Sequence, residues 1–172
     1  MNSHEPEHVV LDTSVLINFL AVDRMDLLSH HPGYRFLVTE HVRGEVTAHY
    51  GEQVERLDAA LTTNALEETR VEAVEELALF AQLTQNRCLG LGECAAIAAA
   101  VHRGHVLAID DKVARRAALA LSPSISVIDT QALMVSLIRA GVLSVEDADA
   151  IKTDWERNHS FALRITSFRE FL

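Results

Sequence analysis

The chain has 172 residues, 49% of them apolar and 23% charged, with a net charge of −10 from 15 Lys and Arg against 25 Asp and Glu. This length suits one domain with a full core, and the composition excludes a disordered, collagen-like or disulfide-stapled chain. The acidic balance excludes a surface that coats nucleic acid through a general basic patch, though not an enzyme whose metal ions supply the local positive charge.

The chain reads as alternating strands and helices. Residues 1–7 are polar, lack the apolar stretch of a signal peptide and read as a disordered tail. Val9-Val10-Leu11 is a short β-branched run and a predicted central strand. Asp12-Thr13-Ser14 then opens the apolar segment 15–21, and Asp and Thr are good N-cap types, so a strand-to-helix turn is expected. A short helix is predicted over 25–30, stopped by His31-Pro32-Gly33. A second strand is predicted over 35–39, and Thr39 would cap a helix that carries Glu45 and runs to about residue 50.

Val54, Leu57 and Leu61 mark an amphipathic helix over 53–61, followed by a strand over 66–71 and a helix over 71–83. Gly90-Leu91-Gly92 reads as a break before an Ala-rich helix over 93–102 that stops near Gly104. Then come a strand over 105–109, a helix over 112–121 ended by Pro123, a strand over 125–128, and a helix over 130–140 with Gly141 as its stop. Ser144 caps a helix over 145–157, with Glu146 and Asp147 favourable in its first turn, and a short helix is expected over 165–172. Helices 71–83 and 130–140 read as core and dimer surfaces.

This order predicts an α/β fold around a mostly parallel sheet, whose ligand crevice lies at the carboxyl ends of the strands. Cys88 and Cys94 read as small buried residues in a reducing compartment, and His30, His31 and His41 as surface residues. The longest apolar run, 94–101, is far too short for a membrane span, so a cytoplasmic protein is expected.

Four acidic positions stand where an apolar run ends or a helix begins: Asp12, Glu45, Glu93 and the doublet Asp110-Asp111. Carboxylates converging on one pocket would repel and raise each other's pKa unless a cation sat among them. A few hard oxygen ligands without thiolates suit Mg²⁺ or Mn²⁺, which could activate water against a phosphodiester. Each residue also has a plain reading: Asp12 and one of the doublet as helix caps, Glu45 as a solvated helix residue, Glu93 as first-turn dipole chemistry. Lys112, Arg115 and Arg116 could contact phosphates or simply balance the acids.

Four blocks carry a family resemblance: Val9-Val10-Leu11-Asp12-Thr13-Ser14, Glu45-Val46, Leu89-Gly90-Leu91-Gly92-Glu93-Cys94-Ala95-Ala96, and Leu107-Ala108-Ile109-Asp110-Asp111-Lys112-Val113-Ala114-Arg115. Taken in order, they resemble the PIN-domain nucleases, the family that includes the VapC-type ribonuclease toxins. The resemblance implies a single three-layer α/β/α domain with four to five strands; the chain is longer than the shortest toxins of this type, and residues 142–172 are expected to form a C-terminal helical extension. It implies a Mg²⁺- or Mn²⁺-dependent endoribonuclease, the toxin of a toxin–antitoxin pair or a close relative, with RNA as substrate, an antitoxin as partner and a homodimeric assembly. It further implies catalytic roles for Asp12, Glu45, Glu93 and Asp110, metal contact by Asp12, Glu93 and Asp110 or Asp111, and support from Ser14. Glu93 stands where many members have Asp. The alternative is a PIN-like module that binds RNA or protein without cutting. A phosphoryl-transfer protein fits poorly, since Asp12-Thr13-Ser14 lacks the second acid of Asp-x-Asp.

Overall fold

In the computed structural model, which describes residues 5–172, five strands are built from the short β-branched runs: β1 Glu7–Leu11, β2 Tyr34–Thr39, β3 Glu67–Thr69, β4 Val106–Ala108 and β5 Val127–Ile128. They form one sheet in the order β3-β2-β1-β4-β5, and every pair is parallel. Residues 1–4 of the expected N-terminal tail lie outside the described residues, and Glu7 already pairs with Tyr34.

Nine helices among the described residues connect the strands: α1 Thr13–Ala21, α2 Met25–Ser29, α3 Glu40–His49, α4 Val54–Thr62, α5 Val74–Leu83, α6 Leu91–Arg103, α7 Lys112–Leu121, α8 Thr130–Arg139 and α9 Val145–Asn158. Most open on a side-chain cap that satisfies an orphan backbone N–H. Asp12, Thr39, Asp111, Asp129 and Ser144 each accept such a bond.

The period of two along a strand divides the core into two layers. Val9, Leu11, Phe36, Val38, Val106 and Ala108 face one layer, packed by α1, α2, α4, α8 and α9. Val10, Leu37, Leu107 and Ile109 face the other, packed by α6 and α7. This is the three-layer α/β/α arrangement. On α6, Cys94 to Ala100 are all fully buried, and the small side chains let that helix lie close to the sheet.

The C-terminal segment is woven into the first layer. Trp155 and Phe168 are fully buried, and Trp155 Nε1 donates to the Asn18 carbonyl at 2.7 Å. Asp149 accepts from Ser167 Oγ at 2.6 Å and from the Phe168 backbone N–H at 2.9 Å, which seats a 3-10 turn, Phe168–Phe171, where a helix over 165–172 was expected. No described helix is long and apolar enough to cross a membrane.

Four expectations are corrected. The break at Gly90-Leu91-Gly92 is shorter than expected: α6 begins at Leu91, with Gly90 as its N-cap, and Gly92 lies inside it. Val71 precedes α5 rather than opening it. His31 is buried, because its Nε2 meets Ser136 Oγ at 2.8 Å and its ring stacks on Tyr34; burial lowers its pKa. Cys88 is exposed, while Cys94 is buried and its thiol is pushed up to about 11 by that burial.

Candidate functional site

The order of the sheet reverses at β1, which pairs with β2 on one side and β4 on the other. In an open parallel sheet the crevice forms at such a switch point, beyond the carboxyl ends of the strands. Asp12 directly follows β1, and its backbone N–H extends the sheet by donating to the Ala108 carbonyl at 3.0 Å. Asp110 and Asp111 follow β4, Glu45 lies on α3 beyond β2, and Glu93 occupies the first turn of α6.

Asp12 is 1% exposed. Its Oδ2 accepts from Ser14 N at 3.2 Å and from Ser14 Oγ at 2.6 Å. Its Oδ1 is buried with no hydrogen-bond partner among the described residues. Burial pushes this carboxyl well above its ordinary value; the Ser14 hydrogen bonds oppose that rise and the charge of Glu45 adds to it. An orphaned buried carboxylate oxygen calls for an explanation, and a cation is one.

Glu45 is held at both oxygens. Oε1 accepts from the Gly92 backbone N–H at 2.7 Å and Oε2 from Thr13 Oγ1 at 2.5 Å. Glu93 Oε2 accepts from the Gly90 backbone N–H at 2.9 Å, which caps the start of α6. The Glu93 carboxyl is raised, first by burial and then by the charges of Asp12, Asp111 and Glu45. Those four carboxylates therefore share one electrostatic neighbourhood.

The doublet divides its labour. Asp110 Oδ1 accepts from Thr130 N at 2.8 Å, and Oδ2 accepts from Thr130 Oγ1 at 2.7 Å and Asn18 Nδ2 at 3.1 Å. Its carboxyl is raised by burial, and the acid that acts on it is Asp129. Asp111 is exposed; its Oδ1 caps α7 through Val113 N and Ala114 N, both at 2.8 Å, and its Oδ2 accepts no hydrogen bond among the described residues.

Among the described residues, no three His, Cys, Asp or Glu side chains converge tightly enough to hold a metal ion as they stand. Each acid instead rests on its own donor, as mutual repulsion requires. The donor set is nonetheless all hard oxygen, and it includes one desolvated oxygen without a partner, which fits a Mg²⁺- or Mn²⁺-type ion. Of the candidate phosphate contacts, Lys112 and Arg116 are exposed, and Arg115 lies 3.9 Å from Asp129.

Sequence reasoning missed Thr13, Asn18, Gly92 and Thr130. Thr13 and Gly92 stood inside the blocks that carry the resemblance, and Asn18 left a signal as a polar residue inside the apolar run Val15-Leu16-Ile17-Asn18-Phe19-Leu20.

Residues 8–158 match the model of a family described as PIN domain, DUF3368. A crystal structure of VapBC2 from Rickettsia felis, bound to a DNA fragment from their promoter, aligns at 12% identity and a TM-score of 0.50, covering 71% of this chain and 98% of that one. The crystal structure of PAE2754 from Pyrobaculum aerophilum aligns at 17% identity and a TM-score of 0.51, covering 80% of this chain and 91% of that one. At these identities the likeness is one of fold. No curated protein matches the chain.

Proposed function

We infer that this chain, which belongs to the PIN-domain family, is a Mg²⁺- or Mn²⁺-dependent endoribonuclease, acting in the cytoplasm as the toxin of a toxin–antitoxin pair. The observation that carries the reading is the buried, unpartnered Asp12 Oδ1 beside the charges of Glu45 and Glu93, with Asp111 in turn acting on Glu93. Asp12, Glu45, Glu93 and Asp111 would hold the ion directly or through water. When bound, the ion would activate the attacking water and neutralise charge developing on the phosphate. Ser14 keeps Asp12 Oδ2 engaged and so leaves Oδ1 for the ion. Lys112 and Arg115, on the first turn of α7, would be the cations that meet substrate phosphates.

The homodimer and the antitoxin rest on the family resemblance. Exposed Val74 and Leu77 on α5 give the dimer an apolar surface to cover. The test is cleavage of a mixed panel of structured and single-stranded RNAs by the purified chain, with Mn²⁺ and with EDTA. Metal-dependent cleavage supports the reading. RNA binding with no cleavage under either condition would turn it towards a non-cutting module.

Asp111, rather than Asp110, is the fourth acid of this reading, because its charge acts on Glu93, whereas Asp110 takes three hydrogen bonds from Thr130 and Asn18 and the acid that acts on it is Asp129. Asp111→Asn keeps the cap of α7 and should lower cleavage by about 10- to 100-fold with little change in thermal midpoint. Asp110→Asn brings an amide NH₂ against the donors of Asn18 or Thr130. It should cost about 1–2 kcal/mol of stability. Kinetics and denaturant melts of the two variants check the assignment, and the opposite pattern would reverse it.

A further inference from the structure

Gly92 lies where α6 comes against the Glu45 side chain. A Cβ built on Gly92 would sit 2.3 Å from Glu45 Oε2, 2.7 Å from its Cδ and 3.0 Å from Oε1. Only glycine permits this approach, and the atoms in the way belong to the end of a flexible side chain. A larger residue at 92 would therefore displace Glu45 and leave α6 intact. The same approach brings the Gly92 N–H to Glu45 Oε1 at 2.7 Å, while Thr13 Oγ1 reaches Oε2 at 2.5 Å from the first turn of α1.

We propose that Gly92 and Thr13 are positioning residues, a two-point clamp from α6 and α1 that fixes the Glu45 carboxylate at the acidic site. The proposal rests on the nuclease reading above. Each Glu45 oxygen accepts one neutral donor and keeps its other lone pair for an ion or an ordered water. The carboxylate is thereby oriented before any ligand arrives, which removes the cost of ordering it during the reaction. Thr13, next to Asp12 in sequence, couples the placement of the first acid to that of the second.

The test uses the full chain and four variants: Gly92→Ala, Glu45→Asp, the double variant carrying both, and Thr13→Val. Mn²⁺-dependent RNA cleavage is measured as kcat and KM separately, Mn²⁺ affinity by calorimetry, and stability by thermal melts. Gly92→Ala should keep or raise the thermal midpoint, since Ala favours the helix, yet lose about 10- to 100-fold in kcat with KM little changed. Glu45→Asp, shorter by a methylene, draws the carboxylate back from the new Cβ. The double variant should therefore regain at least several-fold over Gly92→Ala, a rescue that a merely structural role for Gly92 would not show. Thr13→Val should lose about tenfold in kcat.

Wild-type cleavage joined to an unimpaired Gly92→Ala, or a folded double variant no better than Gly92→Ala, overturns the clamp and leaves the nuclease reading standing. A wild-type chain that neither cleaves RNA nor binds Mn²⁺ overturns that reading, and the clamp with it.

Discussion

Asp12→Asn is expected to lower metal-dependent RNA cleavage by on the order of 10³-fold, while making the metal-free protein more stable at neutral pH. Both effects come from the same buried carboxylate. Asn can still accept from Ser14, so the start of α1 is kept. It cannot offer the negative charge that would draw a cation into the site.

The stability change follows from linkage. Burial raises the folded-state pKa of Asp12 above its ordinary value, so over that interval the folded state holds more protons than the unfolded one. Stability is then full below about pH 4, the unfolded carboxylate range, and is lost as pH rises through the folded value. Glu93 and Asp110 are shifted in the same direction. The thermal midpoint of Asp12→Asn should therefore stand above that of the parent at pH 7, and the gap should close towards pH 4. Mn²⁺ at about 100 times its dissociation constant should stabilise the parent by about 2.7 kcal/mol, or roughly 5–10 °C, and the variant hardly at all. Undiminished cleavage, or a variant less stable than its parent at neutral pH, would remove Asp12 from the site.

Arg103→Ala should cost about 3 kcal/mol of stability, a fall of roughly 6–12 °C in the thermal midpoint. Glu76 on α5 is 1% exposed. Burial alone would raise its pKa, but the guanidinium of Arg103 holds it below the ordinary value. Arg103 Nε meets Glu76 Oε1, and one terminal nitrogen meets Oε2 at 3.0 Å. The same guanidinium donates to Thr69 Oγ1 and to the Arg70 carbonyl, both at 2.6 Å, and so ties the end of β3 and the start of α5 to the end of α6. Without it, Glu76 keeps the Glu72 N–H at 3.2 Å but becomes a buried charge stripped of its guanidinium counterion.

Lys at 103 would restore the charge without the planar fork and should recover only part of the loss. Replacing both partners, Glu76→Leu with Arg103→Met, should recover most of it, because an apolar pair leaves nothing unsatisfied. Urea unfolding of the set separates the two explanations. A double replacement as unstable as Arg103→Ala would mean that the ties to Thr69 and Arg70, rather than the ion pair, carry the energy.

Much of the fold could be read in advance because its signals are local. The run Val9-Val10-Leu11 can bury both faces only as a central strand, and Thr39 and Ser144 announce their helices through the caps they form. The acids could be picked out because each follows such a signal. What could not be read was the set of partners. Asn18 and Thr130 meet at Asp110 across 92 and 20 residues, and Thr13 meets Glu45 across 32. Hydrophobic spacing says nothing about such long-range polar contacts. Gly92 was misread for a related reason: glycine near a helix start resembles a break, and only the nearby Glu45 reveals what the missing Cβ is for.

The position of β1 at the centre of the sheet also bears on how the chain folds. Val9 pairs with Phe36 on one side and with Val106 on the other, a closure more than three times as long in sequence. By the logarithmic cost of closing a loop, the second pairing is about 1 kcal/mol more expensive than the first. The half-sheet of β1 and β2 can thus form early and bring Asp12 near Glu45, whereas Asp111 arrives only when β4 docks. A nascent or truncated chain ending before β4 would carry three of the four acids without the strand and the helix, β4 and α7, that bring the fourth.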